Sequence, residues 1–174
     1  NAIQFNNNST GNGLSYNWNF GDGNTQNNTS PTHLYNNAGQ YNAELIVENS
    51  NGCKDTISNL VIAFEQPTAN FSTINKCIED TIQFSDLSNI QNMFGAQISQ
   101  WEWNFGNNTT SNLQNPTHNY QNDGHYTVSL IVTTNQDCSS TFQNTVEIYP
   151  NPIVQLSPTD VCLDFPTKFT DQST

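Results

Sequence analysis

Four cysteines are the residues of this chain with the clearest potential for covalent chemistry, and their spacing is regular. Cys53 and Cys138 lie 85 residues apart, and so do Cys77 and Cys162. This recurrence indicates that the cysteines belong to a repeated unit. Four cysteines allow three pairings. The repeat favours a Cys77–Cys138 disulfide within one unit, and it leaves Cys53 and Cys162 to pair with cysteines outside this stretch.

Such a bridge would stabilise its unit by about 4 kcal/mol in the chain-entropy treatment and would indicate an oxidising compartment. The alternative is four buried free thiols. A zinc site is disfavoured because the sequence has no Cys-x-x-Cys motif and no adjacent cysteine–histidine pair.

Aspartates in turns and at strand ends could in principle bind a hard cation such as calcium, which needs several converging oxygens. Asp22, Asp86 and Asp123 are weak candidates, because they form no dense cluster in the sequence and ordinary turn carboxylates would look the same. We therefore predict no metal and no cofactor, with calcium as the one candidate. His33 and His118 occupy equivalent positions of the repeat, which favours a structural role over catalysis.

Composition excludes several classes of function. The chain carries a net charge of −12, with three lysines and no arginine. It cannot neutralise a row of phosphates, so nucleic acids and anionic membrane surfaces are not predicted partners. No stretch approaches the roughly 18 apolar residues that a spanning helix needs. No nucleophile-elbow, zinc-protease or phosphate-loop motif occurs, so we predict that the chain is not an enzyme.

The elements that carry these residues are short strands with alternating aromatic side chains. Trp18 and Phe20 alternate with asparagines, and Trp103 and Phe105 repeat them 85 residues later. This period of two indicates strands that are buried on one face. Frequent turn signals and the absence of helical periodicity predict an all-β fold of the sandwich type. We predict that the core motif consists of Trp18, Phe20, Tyr41, Trp103, Phe105 and Tyr126.

The repeat divides the chain into three parts. We predict an N-terminally truncated domain at 1–66, a complete domain at 67–150 and the first strands of a third domain at 151–174. The chain opens and stops in mid-pattern, so we expect it to be a piece of a longer protein. Short proline-containing linkers restrict the joints, and tandem repeats of this kind form extended arrays.

Three segments in each of the first two units resemble those of a known family, the PKD domain, which is an immunoglobulin-like β-sandwich. The matching segments of the first unit are Trp18-Asn19-Phe20-Gly21-Asp22-Gly23, Pro31-Thr32-His33 with Tyr35, and Ala38-Gly39-Gln40-Tyr41. Those of the second unit are Trp103-Asn104-Phe105-Gly106, Pro116-Thr117-His118 with Tyr120, and Asp123-Gly124-His125-Tyr126. The aspartate that usually follows the tryptophan is asparagine in both units, and Asn107-Asn108 replaces Asp22-Gly23 in the second. Both departures argue against a metal at this turn.

The resemblance implies an extracellular module used as a spacer, a stalk or an adhesive array. The cysteine variant resembles repeats in large surface proteins of gliding, Bacteroidota-type bacteria, which include adhesins and substrates of the type IX secretion system. We therefore predict a structural or adhesive segment of a bacterial surface or secreted protein. Its predicted partners are neighbouring repeats, other filament copies or surface glycans. The alternative is an accessory polysaccharide-binding module of a secreted hydrolase, which exposed aromatic side chains would favour.

Two short segments also resemble the O-glycosylation signal of such bacteria. They are Asp55-Thr56-Ile57 and Asp80-Thr81-Ile82, which makes Thr56 and Thr81 candidate glycosylation sites. An Asp-Thr pair at the start of a strand is a sufficient structural explanation of both.

Overall fold

The chain folds into two compact units. The computed structural model describes residues 2–91, 93–158, 160–161, 163–167 and 169–173, with only the backbone at 157–158. Unit 1 comprises Asn1–Gln66, Ile90–Gln97 and Asn135–Cys138, and unit 2 comprises Pro67–Asn89, Ile98–Thr134 and Ser139–Thr174.

Strands are the only regular elements in the described ranges, in agreement with the alternating sequence pattern. The first six are β1 (Ile3–Gln4), β2 (Ser15–Asn19), β3 (Thr25–Gln26), β4 (Thr32–His33), β5 (Gly39–Glu48) and β6 (Lys54–Ala63). The next nine are β7 (Phe71–Ser72), β8 (Lys76–Cys77), β9 (Ile82–Gln83), β10 (Ser85–Asp86), β11 (Ile98–Asn104), β12 (Thr110–Ser111), β13 (Thr117–His118), β14 (Gly124–Thr134) and β15 (Ser139–Tyr149). The last two are β16 (Leu156–Pro158) and β17 (Phe169–Asp171).

Unit 1 combines a four-stranded sheet of order β3-β2-β5-β6 with the small β1–β4 pair. In β2 the side chains alternate between exposed and buried, as the period of two predicts. The aromatic face of this strand supplies the core, which contains Trp18, Phe20, Tyr35 and Leu45.

Unit 2 has a five-stranded sheet of order β12-β11-β14-β15-β8 and two small pairs, β13–β9 and β10–β7. Alternate residues of β14 are buried over most of its length. Strand β8 pairs with the end of β15 in the parallel direction, whereas the other pairings are antiparallel. The core is larger than that of unit 1 and includes Phe71, Phe84, Trp103, Phe105, Tyr120, Val128, Leu130, Val132, Val146 and Ile148.

Near the C-terminus, β16 and β17 form a hairpin that repeats the beginning of unit 2. Leu156 pairs with Asp171, as Phe71 pairs with Asp86 in unit 2. β16 and β17 are therefore equivalent to β7 and β10 in the repeat, and the assignment of 151–174 to a third domain stays a prediction.

A glycine follows each aromatic strand, because a side chain at that position would clash with the neighbouring strand. Gly21 and Gly106 both have a φ of 79°, in the left-handed region that favours glycine. A Cβ atom on Gly21 would lie 2.7 Å from the carbonyl oxygen of Asn42, and one on Gly106 would lie 2.7 Å from that of Thr127. Each turn therefore lies directly against the neighbouring long strand.

The prediction of an all-β fold with tandem immunoglobulin-like sandwiches is confirmed. Within the described ranges, no helix has the length and apolar character needed to cross a membrane.

Candidate functional site

Each unit contains a histidine that is paired with the residue one position after the turn glycine. In unit 1, His33 Nε2 lies 2.7 Å from Asp22 Oδ2, and the imidazole stacks on Phe20 at a centroid distance of 4.0 Å. In unit 2, His118 Nε2 lies 3.0 Å from Asn107 Nδ2. The same fold position therefore holds an acid–base pair in one unit and an amide–imidazole pair in the other.

These pairs differ in their electrostatics. Burial by itself would raise the pKa of Asp22, but hydrogen bonds with His33 and Asn24 outweigh burial and hold that pKa below its usual value. Burial lowers the pKa of His118, which has no carboxylate beside it. Asn107 donates its amide hydrogen to Nε2, an arrangement that requires a neutral imidazole. We therefore assign a structural role to both histidines.

Four tyrosine hydroxyls bind backbone carbonyls at equivalent places in the two units. The hydroxyl of Tyr35 donates to the Phe20 carbonyl at 2.8 Å, and the hydroxyl of Tyr120 donates to the Phe105 carbonyl at 2.9 Å. Tyr41 and Tyr126 each donate to the carbonyl four residues earlier, at 2.9 Å. The second pair has the tyrosine-corner arrangement expected of sandwich domains. Trp18, Phe20, Trp103 and Phe105 of the predicted core motif are buried, while Tyr41 and Tyr126 are half-buried.

The structure contradicts the predicted Cys77–Cys138 disulfide. Cys53, Cys77 and Cys138 form no disulfide. Cys138 directly precedes β15. Cys77 pairs with Tyr149, which is the last residue of the 11-residue strand β15. At about 3.3 Å per residue the two cysteines lie about 35 Å apart, far beyond the roughly 7 Å between Cα atoms that a disulfide allows. Cys162 lies outside the described residues, and partners of Cys53 and Cys162 beyond this stretch stay a prediction.

The aspartates proposed for calcium do not come together. Asp22 belongs to unit 1, while Asp86 and Asp123 belong to unit 2. Over the described part of the chain, no group of three histidine, cysteine, aspartate or glutamate side chains could hold a metal ion. Calcium binding therefore stays a prediction without a defined site.

Both candidate glycosylation sites are accessible. Thr56 lies on β6 and is exposed, as is Thr81 just before β9. The hydroxyl of Thr81 accepts a hydrogen bond from the Asn119 amide at 3.4 Å. Glycosylation of Thr56 and Thr81 stays a prediction.

Unit 2 contains an open groove of about 610 Å³ on β11, β14 and the loop after β12. Trp101 contributes a partly exposed ring to it, and Leu113 is 67% exposed. Glu102 is the only charged residue of the lining, which is otherwise amide, hydroxyl and apolar: Ser99, Gln100, Trp101, Glu102, Asn112, Leu113, Gln114, Ile131 and Thr133. The groove could accommodate a neutral, extended ligand.

Asp86 fixes two side chains of this groove. Its Oδ2 accepts a hydrogen bond from Trp101 Nε1 at 2.7 Å and another from Gln114 Nε2 at 3.0 Å. Burial would raise the pKa of Asp86, but hydrogen bonds from Ser88, Gln114 and Trp101 outweigh burial and lower it. Sequence reasoning treated Asp86 as a weak candidate cation ligand and missed this role, because Trp101 and Gln114 lie 15 and 28 residues away along the chain.

Comparison with known proteins gives consistent results. The PKD domain family model matches residues 1–63 and again 64–149. Over 54 residues, 29% of this chain, the sequence is 46% identical to Collagenase ColA of Bacillus cereus (strain ATCC 14579), of which it covers 6%. Over 94 residues, 53% of this chain, it is 32% identical to Collagenase ColQ1 of Bacillus cereus (strain Q1), of which it covers 9%. The chain thus spans less than a tenth of the length of these curated relatives.

Two solved structures are similar to parts of this chain. The PKD1 domain of Vibrio anguillarum Epp is 25% identical, with a TM-score of 0.47, and the match covers 51% of this chain and 100% of that one. The PKD1 domain of the Vibrio cholerae metalloprotease PrtV is 28% identical, with a TM-score of 0.44 and coverage of 49% and 99%.

Proposed function

Because this chain belongs to the PKD domain family, we propose that its two units are non-catalytic spacers in an extracellular protein. The family match covers both units, and PKD domains are non-catalytic modules that also occur within enzymes. The likeness to bacterial collagenases supports a secreted or extracellular location.

The observation that carries this proposal is the path of the chain through unit 2. The Ala69 amide donates to Ser140 Oγ at 3.3 Å, beside the start of β15. The chain leaves after Tyr149, at the end of the same 11-residue strand. At about 3.3 Å per residue, entry and exit are about 30 Å apart. A module with its termini at opposite ends adds its own length to a tandem protein.

The strand pairing of unit 2 also suits a module under tension. Lys76 pairs with Ile148 and Cys77 with Tyr149 in the parallel direction. A pull on the two ends of the unit would shear these strands along their length, so their hydrogen bonds would share the load. The mechanism proposed is therefore mechanical.

The aromatic side chains favour a spacer over a gripping module. Trp103 is completely buried and Trp18 is 7% exposed. Side chains in these positions stabilise the core and cannot stack on a sugar ring.

The host protein is a separate part of the proposal. The collagenase relatives favour a spacer attached to a secreted protease. The tandem repeat itself would equally suit a stalk or adhesive filament on a bacterial surface, as in gliding-motility adhesins secreted by the type IX system. The same mechanical role serves both hosts.

A second candidate function, an accessory substrate-binding module, is favoured by the groove at Trp101. Its amide-rich lining and one partly exposed indole would suit a neutral polysaccharide. Co-sedimentation with insoluble chitin, cellulose and collagen separates the two functions. A spacer is expected to stay in the supernatant with all three. The control is Leu34→Ala, a change at an exposed residue of unit 1. Retention that is abolished by Trp101→Ala but preserved by Leu34→Ala would support the binding module in place of the spacer.

A further inference from the structure

Strand β11 of unit 2 has one edge that is only partly covered by another strand. On one side β11 pairs with β14 along its whole length, from Ile98 to Asn104. On the other side β12 pairs only with Trp103 and Asn104. Among the described residues, no strand covers this second edge between Ile98 and Glu102. The open edge lies along the groove of about 610 Å³ at Trp101.

The backbone of Trp101 points out of this open edge. The Phe105 amide donates to the Thr109 carbonyl at 3.1 Å, in the hairpin that joins β11 to β12, so Phe105 faces the β12 side. Backbone groups of alternate residues in a strand point to the same side. The N–H and C=O groups of Trp103 and Trp101 therefore face that side too. Those of Trp103 lie opposite Ser111 of β12, whereas those of Trp101 have no strand beside them in the part of the chain that the structure describes.

The loop after β12 forms the opposite wall of the groove. The Trp103 indole donates to the Leu113 carbonyl at 2.9 Å. Gln114 and Trp101 donate to the same carboxylate oxygen of Asp86, at 3.0 and 2.7 Å. These bonds hold both the loop and the Trp101 ring, so the groove is preorganised for a ligand.

Charge and side-chain chemistry indicate which ligand suits this groove. Glu102 is exposed and is the only charged residue of the lining, and the chain has a net charge of −12. A basic side chain opposite Glu102 is attracted, because opposite charges on cross-strand neighbours stabilise a strand pair, and an acidic one is repelled. Trp101 and the 67% exposed Leu113 offer contacts to apolar side chains. Since side chains of a strand alternate between two faces, an extended peptide can satisfy both features.

We propose that the open edge of β11 binds an extended peptide by strand addition, and that this peptide alternates apolar and polar residues and carries a basic side chain. The peptide backbone accepts a hydrogen bond from the Trp101 amide and donates one to the Trp101 carbonyl. An apolar side chain of the peptide packs on the Trp101 ring, and the neighbouring basic side chain lies beside Glu102. This docking role goes beyond the spacer function and does not depend on it.

The shape of the edge favours a short peptide over a second sheet. The register of β11 shifts between Ile98 and Gln100, and a bulge of this kind interrupts the regular edge. An exposed charge such as Glu102 also opposes edge-to-edge pairing of whole sheets. The straight part of the edge is therefore limited to the few residues around Trp101.

Hydrogen exchange of the free chain, followed by NMR after isotope labelling, tests whether the edge is open. The Trp101 amide should exchange with D2O at least about fivefold faster than the Trp103 amide, because only the Trp103 amide faces a partner strand. Equal protection of the two amides would show that the edge is already paired and would overturn the proposal.

The ligand probe is a hexapeptide with blocked ends and the sequence Thr-Val-Lys-Val-Thr-Val. Titrated to about 5 mM, it should shift the amide signals of Trp101 and Glu102 and slow the exchange of the Trp101 amide. The matched control is the same peptide with N-methyl groups on its valines, which keeps the charge but cannot donate backbone hydrogen bonds. It should bind at least about tenfold more weakly. Equal binding of the two peptides would overturn strand addition.

Charge reversal tests the site on the protein. Glu102→Lys should weaken binding of the lysine peptide at least about threefold, and it should strengthen binding of a peptide with glutamate in place of lysine. Asp123→Lys is the matched control, because it makes the same change at an exposed residue just before β14, far from the end of β14 that lines the groove. It should change the ratio of the two affinities less than about twofold. An equal change of this ratio in both variants would contradict a site at Glu102.

Soluble sugars separate peptide docking from polysaccharide binding. Cellohexaose and chitohexaose, at the same concentrations, should leave the signals of Trp101 and Glu102 unchanged. Shifts with either sugar and none with the lysine peptide would overturn the proposal in favour of a polysaccharide site. Absence of shifts with the peptide and with both sugars would overturn it as well.

Discussion

A single substitution can give the histidine pair of unit 2 the charge arrangement of the pair in unit 1. Asn107→Asp places a carboxylate beside His118, where Asn107 Nδ2 now lies 3.0 Å from Nε2. Unit 1 already has that arrangement, with Asp22 and His33 at 2.7 Å. Gly21 and Gly106 have the same φ, so the turn should accept the substitution.

The expected change is an inversion of pH dependence. Burial lowers the pKa of His118 in the native chain. The unfolded chain therefore takes up a proton more readily, and the stability of unit 2 falls as the pH drops below the unfolded value of about 6.5. In Asn107→Asp the carboxylate raises the folded pKa of His118. The stabilisation of unit 2 by this pair of charges is then fully present below about pH 6.5, and it is lost as the pH rises through the folded pKa of His118.

A hydrogen bond to a charged group contributes about 1.5–3 kcal/mol to stability. His118 is partly buried, so solvent weakens this interaction only partly. The variant should therefore be more stable than the native chain by about 1–3 kcal/mol at pH 5.5, and the difference should shrink toward pH 8.

Urea unfolding between pH 5 and 8, followed by tryptophan fluorescence, measures this difference, because Trp101 and Trp103 report on unit 2. Asp22→Asn is the reciprocal control and should destabilise unit 1 throughout this pH range, because the lowered pKa of Asp22 makes its carboxylate stabilising above the unfolded value of 3.8. Parallel pH profiles for the native chain and Asn107→Asp would refute the assigned protonation of His118.

Three further substitutions in unit 2 test its packing and its buried polar groups by urea unfolding. Gly106→Ala should cost about 2–4 kcal/mol, because it combines a positive φ with a clash against the Thr127 carbonyl; a loss below about 1 kcal/mol would contradict the tight approach. Tyr120→Phe should cost about 1–3 kcal/mol by removing the hydroxyl that donates to the buried Phe105 carbonyl, and an unchanged midpoint would argue against that bond. Asp86→Asn should flatten the loss of stability below about pH 4, because the lowered pKa of Asp86 makes its stabilisation disappear as the pH falls through the folded value; an unaltered acid limb would exclude it.

Much of the fold could be predicted from the sequence because its signals are local. Alternating side chains identified the β2 and β11 strands, and Trp18 and Trp103 do point into the two cores. The turn before each long strand identified Tyr41 and Tyr126, whose hydroxyls bind the backbone four residues earlier. These features need only neighbouring residues to be formed.

The wrong disulfide shows where such reasoning stops. The repeat assigns Cys77 and Cys138 to the same repeating segment, 67–150, but it carries no information about which end of that segment each occupies. That depends on the parallel pairing of β8 with β15, a long-range contact without a local signal. The Asp22–His33 pair could have been anticipated, because Asn107 and His118 repeat its spacing.

The spacer proposal is tested most directly by stretching single molecules of the chain from its two ends. Two independent load-bearing units should give two separate unfolding events. At roughly 3.5 Å per residue, the unfolded contour length is roughly 220 Å for residues 1–63 and roughly 300 Å for residues 64–149. Each event should release that contour length less the length of the folded unit. The second event should need the higher force, because β8 and β15 are loaded in shear. Smooth extension without discrete events, or release of the whole length in one step, would contradict the account.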